Sequence, residues 1–281
     1  VSDTGSAPKP KRCAPDDRRA APNTCKDMTT KGKKNTAVEK KRFRLFKKIL
    51  WGSLAAGLIL VSLVFVLTYH GVFGALPTFE DIENPESSIA TEIISSDGQV
   101  IGKIWKNENR SPVSYQELSP YLVDALIATE DERFRQHSGI DVRSTVRAVA
   151  FLGRKGGAST LTQQLAKQLF TKNASQNKLQ RVIQKLQEWI IAAQLERSYT
   201  KDEIITMYFN KYDFLYNAYG IKNASLTYFN KLPSELRIEE AAVLVGMAKN
   251  PILYNPVRNP ENALARRNTV LRQMQRNGFI T

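Results

Sequence analysis

Four acidic side chains, Glu130, Asp131, Glu132 and Asp141, crowd the stretch from Ala128 to Asp141, where an apolar helical pattern gives way to a loop. Ser119 followed by Pro120 reads as an N-cap with proline in the first turn, and Leu122, Ala125 and Leu126 then recur on one face. Glu130 falls one turn further along that helix. A carboxylate at such a junction is partly desolvated, which suits it to taking a proton as a general base. The plain alternative is an acidic surface turn, which is what most isolated Glu-Asp pairs are.

Two further stretches carry polar groups in patterns that suit chemistry. Gly156 and Gly157 lead into a helix capped by Ser159 or Thr160, where free backbone amides and hydroxyls can hold a phosphate or a sugar hydroxyl. Thr162, Gln163 and Gln164 follow where a core helix would want some apolar residues, and Lys167 lies one turn beyond Gln163. From Arg181 to Glu196 the pattern is a long amphipathic helix. Val182, Ile183, Leu186, Trp189 and Ile190 form its apolar side, and Arg181, Lys185 and Glu188 stand at i, i+4 and i+7 on another. Such a triplet is either an exposed salt-bridged stripe, which contributes little, or a cationic site organised by a carboxylate.

The order of these residues resembles a known family. Glu130, Asp131, Phe134, His137 and Gly139 stand in the spacing EDxxFxxHxG, and Gly157 to Gln164 match GxSTxTQQ at every fixed position. RKxxE appears as Gln184, Lys185 and Glu188. Gln184 replaces the arginine, and Arg181 one turn earlier could reach the same space. KxxIxxxYxN appears as Lys201, Ile204, Tyr208 and Asn210 behind Thr200 as N-cap, and RxxxVL as Arg266, Val270 and Leu271. Together they resemble the five motifs of the peptidoglycan glycosyltransferases, the lysozyme-like polymerase module of class A penicillin-binding proteins and their monofunctional relatives.

The resemblance implies a mainly α, bilobal, lysozyme-like domain acting on lipid II and the growing glycan chain, with other cell-wall synthesis proteins as partners. Glu130 is then expected as the base and Glu188 as the organiser of the cationic site. Asp131, Ser159, Thr160, Gln163, Gln164, Lys167, Arg181 and Lys185 are expected to bind substrate. The last two motifs read as structural supports behind the cleft. No cofactor and no protein metal site are required, although the pyrophosphate offers a place for a divalent cation. A lytic murein hydrolase of similar fold and an inactive membrane-anchored scaffold are the rival readings.

The elements that must position these residues lie within 281 residues, enough for one or two domains with a real core. Residues 1 to 48 hold 15 Lys/Arg against 5 Asp/Glu, so +10 of the net +14 belongs to a tail, which weakens any nucleic-acid reading of the folded part. That tail, residues 1–48, is expected to be disordered and cytoplasmic. Ile49 to Tyr69 are 21 residues without a formal charge, about 30 Å as a helix at about 1.5 Å per residue. A cleaved signal peptide would have a shorter apolar region and an Ala-x-Ala site. The basic flank before the helix and the acidic Glu80, Asp81, Glu83 and Glu86 after it place the N-terminus in the cytoplasm. Residues 49–73 thus form a single transmembrane helix in the bacterial cytoplasmic membrane, and 74–281 the extracytoplasmic domain.

Within that domain, Ile89 to Trp105 reads as a hairpin about Asp97-Gly98, and the rest as helices broken near residues 153–157, 171–176 and 250–259. Val142 to Lys155 mixes apolar and cationic residues, which suits either membrane headgroups or an ordinary surface helix. Cys13 and Cys25 lack CxxC spacing and read as free thiols. Ser175 to Lys178 spells SxxK by chance, with no KTG after it. Class A proteins continue into a transpeptidase beyond the point where this sequence stops, so a fragment is one expectation.

Overall fold

A computed structural model describes residues 24–83, 91–98, 100–104, 110–151, 157–171 and 175–281. The chain divides into two compact units, Val1–Leu63 and Val64–Thr281. The described part of the first is one helix, α1 (Thr24–Tyr69), which runs on into the second. Its segment Arg42–Tyr69, 28 residues whose apolar 18-residue window has mean hydropathy 2.4 and is wholly unburied, is long and apolar enough to cross a membrane. The helix starts at Thr24, inside the tail expected to lack structure. Ala37, Glu39, Lys40, Lys41 and Arg42 are good helix formers, and extending a helix from an apolar run needs no new nucleus. The rest of the tail, residues 1–23, lies outside the described residues.

The second unit is mainly α. Among the described residues its β structure is one antiparallel pair, β1 (Thr91–Ile94) and β2 (Val100–Ile104). Gly98 turns the chain between them at φ +80°, with its amide bonded to Ser95 O at 3.0 Å. The helices are α2 (Phe79–Glu83), α3 (Pro120–Glu130), α4 (Val142–Ala150), α5 (Leu161–Phe170), α6 (Lys178–Ser198), α7 (Lys201–Lys211), α8 (Ile221–Phe229), α9 (Ile238–Met247) and α10 (Pro260–Arg276).

Two packed groups position the site. In one, α3 lies against α9 and α10; in the other, α5 lies against α6 and α7. Leu122 and Leu126 of α3 are fully buried, which stabilises the fold by about 2 kcal/mol each. Leu244, Val245, Val270 and Met274 close the same core from α9 and α10. In the other group Leu161, Leu165, Leu195, Ile204 and Ile205 are sequestered. The expected cap Thr200 starts α7 with a capping box: its hydroxyl accepts from Glu203 N at 3.3 Å, and Glu203 Oε2 accepts from Thr200 N at 2.7 Å. On α4, Val142 and Val146 are exposed beside Arg143 and Arg147, the amphipathic surface the sequence anticipates.

Candidate active site

Glu130 ends α3, and its side chain is only 15% exposed. Two residues from other helices hold the carboxylate. Gln164 of α5 donates from Nε2 to Glu130 Oε2 at 3.1 Å, and Arg266 of α10 brings Nη2 to 3.5 Å from Oε1. Tyr208 of α7 donates its hydroxyl to Gln164 Oε1 at 3.3 Å. No cation lies among the nine residues before Glu130 in sequence, yet the fold supplies one from 136 residues away. The guanidinium faces the carboxylate and limits its rotation on that side. The carboxylate offers about four acceptor positions, of which Gln164 and Arg266 occupy two, leaving capacity for a substrate hydroxyl.

Three of the residues expected to bind substrate, Asp131, Thr160 and Gln163, lie buried in the wall of the site. Asp131 is buried and accepts from His137 Nε2 at 3.0 Å and from the Leu161 amide at 3.0 Å, so it anchors the first turn of α5. Thr160 is the cap: its hydroxyl accepts from Gln163 N at 3.2 Å and donates to Gly139 O at 2.7 Å. Gln163 is buried with Nε2 donating to the same carbonyl at 3.1 Å. For Thr160 and Gln163 the physical reason is shared. The loop at 137–141 leaves a backbone carbonyl inside the protein, and the polar side chains at the start of α5 satisfy it. Gly139 permits this fit, because at φ +81° a Cβ would meet Ala192 O of α6 at 2.9 Å. Gln164, also expected to bind substrate, has both ends of its carboxamide engaged by Glu130 and Tyr208.

The α6 residues do gather. Lys185 Nζ donates to Glu188 Oε2 at 2.8 Å and to Ser159 Oγ at 2.9 Å, and Arg181 Nη1 stands 3.8 Å from Glu188 Oε1. The side chain of Glu188 is 2% exposed, whereas those of Arg181 and Lys185 remain 40% and 33% exposed. An ammonium has three protons, and two are committed here, so the third is free for an incoming anion. Gln184, standing where the resembled motif has arginine, accepts from Ser175 N at 3.0 Å and from Arg181 Nη1 at 3.4 Å. It steadies the Arg181 guanidinium. Lys167 is exposed and its ammonium has no hydrogen-bond or ion-pair partner among the described residues. Ser159, exposed at the head of α5, ties this group to the same short segment that carries Gln164.

The residues taken as structural supports divide into two kinds. Lys201 donates to His137 O at 2.6 Å, pairs with Glu196 at 2.7 Å and lies 4.2 Å from the centre of the Phe134 ring, so it bolts the Glu130 loop to α6. Asn210 brackets Val113 through N–H and C=O bonds of 3.0 and 2.9 Å, and Val270 is core. Arg266 and Tyr208, in contrast, reach Glu130 or its partner. The signal was present: Arg266 is four residues before the buried Val270 and three after the buried Ala263, and a cation on a buried face must meet an acid. Near the loop's end, Asp141 is held at about 2. Burial alone would raise it, but the Ser144 amide, the Arg133 guanidinium and the Ser144 hydroxyl outweigh that.

These helices also carry the likeness to known proteins. The family described as Transglycosylase matches residues 97–275. Penicillin-binding protein 1A of Neisseria flavescens is 37% identical over 229 residues, 80% of this chain and 27% of that protein. Penicillin-binding protein 1A/1B of Bacillus subtilis is 38% identical over 279 residues, 94% of this chain and 28% of its own length. A solved structure of penicillin-binding protein 1A from Haemophilus influenzae covers 70% of this chain and 19% of its own, at 24% identity and a TM-score of 0.37. The chain thus spans about a quarter of the length of the curated relatives it matches. Since the matched residues 97–275 make up more than half of the 281 and include both carboxylates with every residue that holds them, this chain belongs to the transglycosylase family.

Proposed function

We propose that the chain is a peptidoglycan glycosyltransferase that polymerises lipid II into glycan strands at the outer face of the cytoplasmic membrane. The observation that carries the reading is the Lys185 ammonium. It bridges Glu188 and Ser159 with one proton uncommitted and Arg181 beside it, and Ser159 stands five residues before Gln164, which holds Glu130. An anion site beside a carboxylate base suits transfer from a lipid pyrophosphate. A hydrolase has no use for the cations, and a scaffold none for either part.

In the reaction, Glu130 takes the proton from the 4-hydroxyl of an incoming GlcNAc as its oxygen bonds to the anomeric carbon of MurNAc on the growing lipid-linked chain. The bond from that carbon to undecaprenyl pyrophosphate breaks on the opposite face, so configuration inverts. The leaving group departs as a stable anion that needs no proton, and Lys185 and Arg181 meet the charge it develops. Exposed Lys167, with no partner of its own, joins them when the pyrophosphate is bound. Glu188 holds the two α6 cations in place rather than exchanging protons. Among the described residues no three His, Cys, Asp or Glu side chains form a metal cage. A divalent cation taking part would therefore be carried by the pyrophosphate oxygens, and a chelator titration reads that directly.

The apolar segment Arg42–Tyr69 serves as a single span with the basic tail inside, and α4 rests its Val142 and Val146 on the bilayer between Arg143 and Arg147. Purified chain given labelled lipid II should form glycan polymer and should not digest sacculi. Sacculus digestion without polymer would establish the hydrolase instead, and neither activity the scaffold. Protease added to intact spheroplasts should spare the basic tail; loss of the tail would reverse the topology.

A further inference from the structure

Glu130 stands at the end of a line of side chains that begins in the core. Tyr208 is 1% exposed, packed edge-on to Phe209 and stacked on Tyr212, with ring centres 6.1 and 6.0 Å away. Its hydroxyl donates to Gln164 Oε1, and Gln164 Nε2 donates to Glu130 Oε2. The direction of this line is forced. A carboxylate only accepts, so the amide end of Gln164 must face Glu130, and its carbonyl end then needs a donor. Burial, and after it the Glu130 and Tyr212 charges, push the Tyr208 hydroxyl well above the ordinary phenol range, so it keeps its proton and remains a donor.

The far side of the carboxylate is stopped by Arg266. Its guanidinium lies 5.7 Å from the centre of the Tyr254 ring, and its stem fills the space above Gly246, where a Cβ would come within 3.0 Å of Arg266 Cγ. Both stops are set by packed helices rather than by a loop, the arrangement a base needs if its reach to a substrate hydroxyl is to be held within a fraction of an ångström.

We propose that Tyr208, acting through the carboxamide of Gln164 and against Arg266, is a positioning residue that fixes the orientation of the Glu130 carboxylate for proton abstraction. The inference rests on the glycosyltransferase reading and deepens it. It also gives the tyrosine of the fourth sequence pattern a task in the reaction, beyond filling the core.

A double-mutant cycle on lipid II polymerisation tests it, with thermal unfolding of each variant as the control for folding. Tyr208→Phe keeps the ring and its packing and removes the one donor; it should lower kcat by about tenfold. KM and the affinity for a moenomycin-like inhibitor should stay within about twofold of wild type. Gln164→Met should lower kcat at least as much, and Tyr208→Phe added to it should cost nothing more, because the hydroxyl acts only through the amide. Wild-type kcat in Tyr208→Phe, full multiplication of the two effects, or a loss seated in KM would each overturn the proposal while leaving the glycosyltransferase reading standing. A wild-type chain that makes no glycan would strike the glycosyltransferase reading first, and the positioning role with it. Should Tyr208→Phe unfold, Gln164→Met alone still decides: unchanged kcat refutes the role, and a kcat loss at constant KM supports it.

Discussion

Glu130 and Glu188 are both carboxylates on helices, both largely buried and both paired with cations, yet the fold treats them differently. The partners of Glu188, Lys185 and Arg181, precede it on its own helix at three and seven residues, and the nearer makes a 2.8 Å contact. Those of Glu130 come from 34 and 136 residues away and stand at 3.1 and 3.5 Å. The tight local pair ties Glu188 Oε2 to its lysine in a site 2% exposed, with Oε1 buried and accepting no hydrogen bond. The looser, long-range pair steadies Glu130, which at 15% exposure keeps acceptor positions that a substrate can reach. On the proposed reading the first arrangement is a permanent cationic seat, and the second a base held ready.

The largest effect expected from breaking this contrast is at the base itself. Glu130→Gln keeps shape and loses the ability to accept a proton, so glycan formation should fall by on the order of 10²–10⁴-fold with the protein still folded. Next comes the seat: Lys185→Ala should lower turnover by on the order of 10²-fold or more, read from chain formation with labelled lipid II. A normal rate there would show that the α6 triplet is only a salt-bridged stripe. Gly139→Ala should leave neither region intact. The new Cβ would lie 2.9 Å from Ala192 O in a left-handed backbone, so the domain should lose about 2–4 kcal/mol, measured by its denaturant midpoint.

The smallest effect is in acid. Asp141 is held at about 2, below the 3.8 of a free aspartate, so its contribution to stability is complete above pH ~4 and is lost as pH falls through about 2. Asp141→Asn should flatten that limb of the stability curve. Unchanged acid sensitivity would show that the Arg133 and Ser144 bonds add nothing.

The contrast also explains what the sequence made legible. Lys185, Glu188 and Arg181 share a helix face, so periodicity alone brings them together, and the caps at Thr160 and Thr200 follow from local backbone needs. Contacts across the fold left weaker marks. Asp131, Thr160 and Gln163 look like ligands for sugar because they are polar at a helix start. They are consumed by Gly139 O, the Leu161 amide and His137, which only the tertiary arrangement brings near. Arg266 and Tyr208 were hidden in the opposite way, since their neighbours Val270 and Ile204 are core and invite a structural reading of the whole motif. The early start of α1 has a similar cause: composition marks a basic tail as unstructured, but an adjoining apolar helix provides its nucleus.

The division of labour is tested most directly by measuring inhibitor affinity beside polymerisation rate for Glu130→Gln and Glu188→Gln, using a moenomycin-like ligand and labelled lipid II. Glu130→Gln should lose the rate and keep the affinity, whereas Glu188→Gln should lose both, because removing the carboxylate frees Lys185 and Arg181 from their seat. Substantial glycan formation by Glu130→Gln, or full affinity in an inactive Glu188→Gln, would contradict the account.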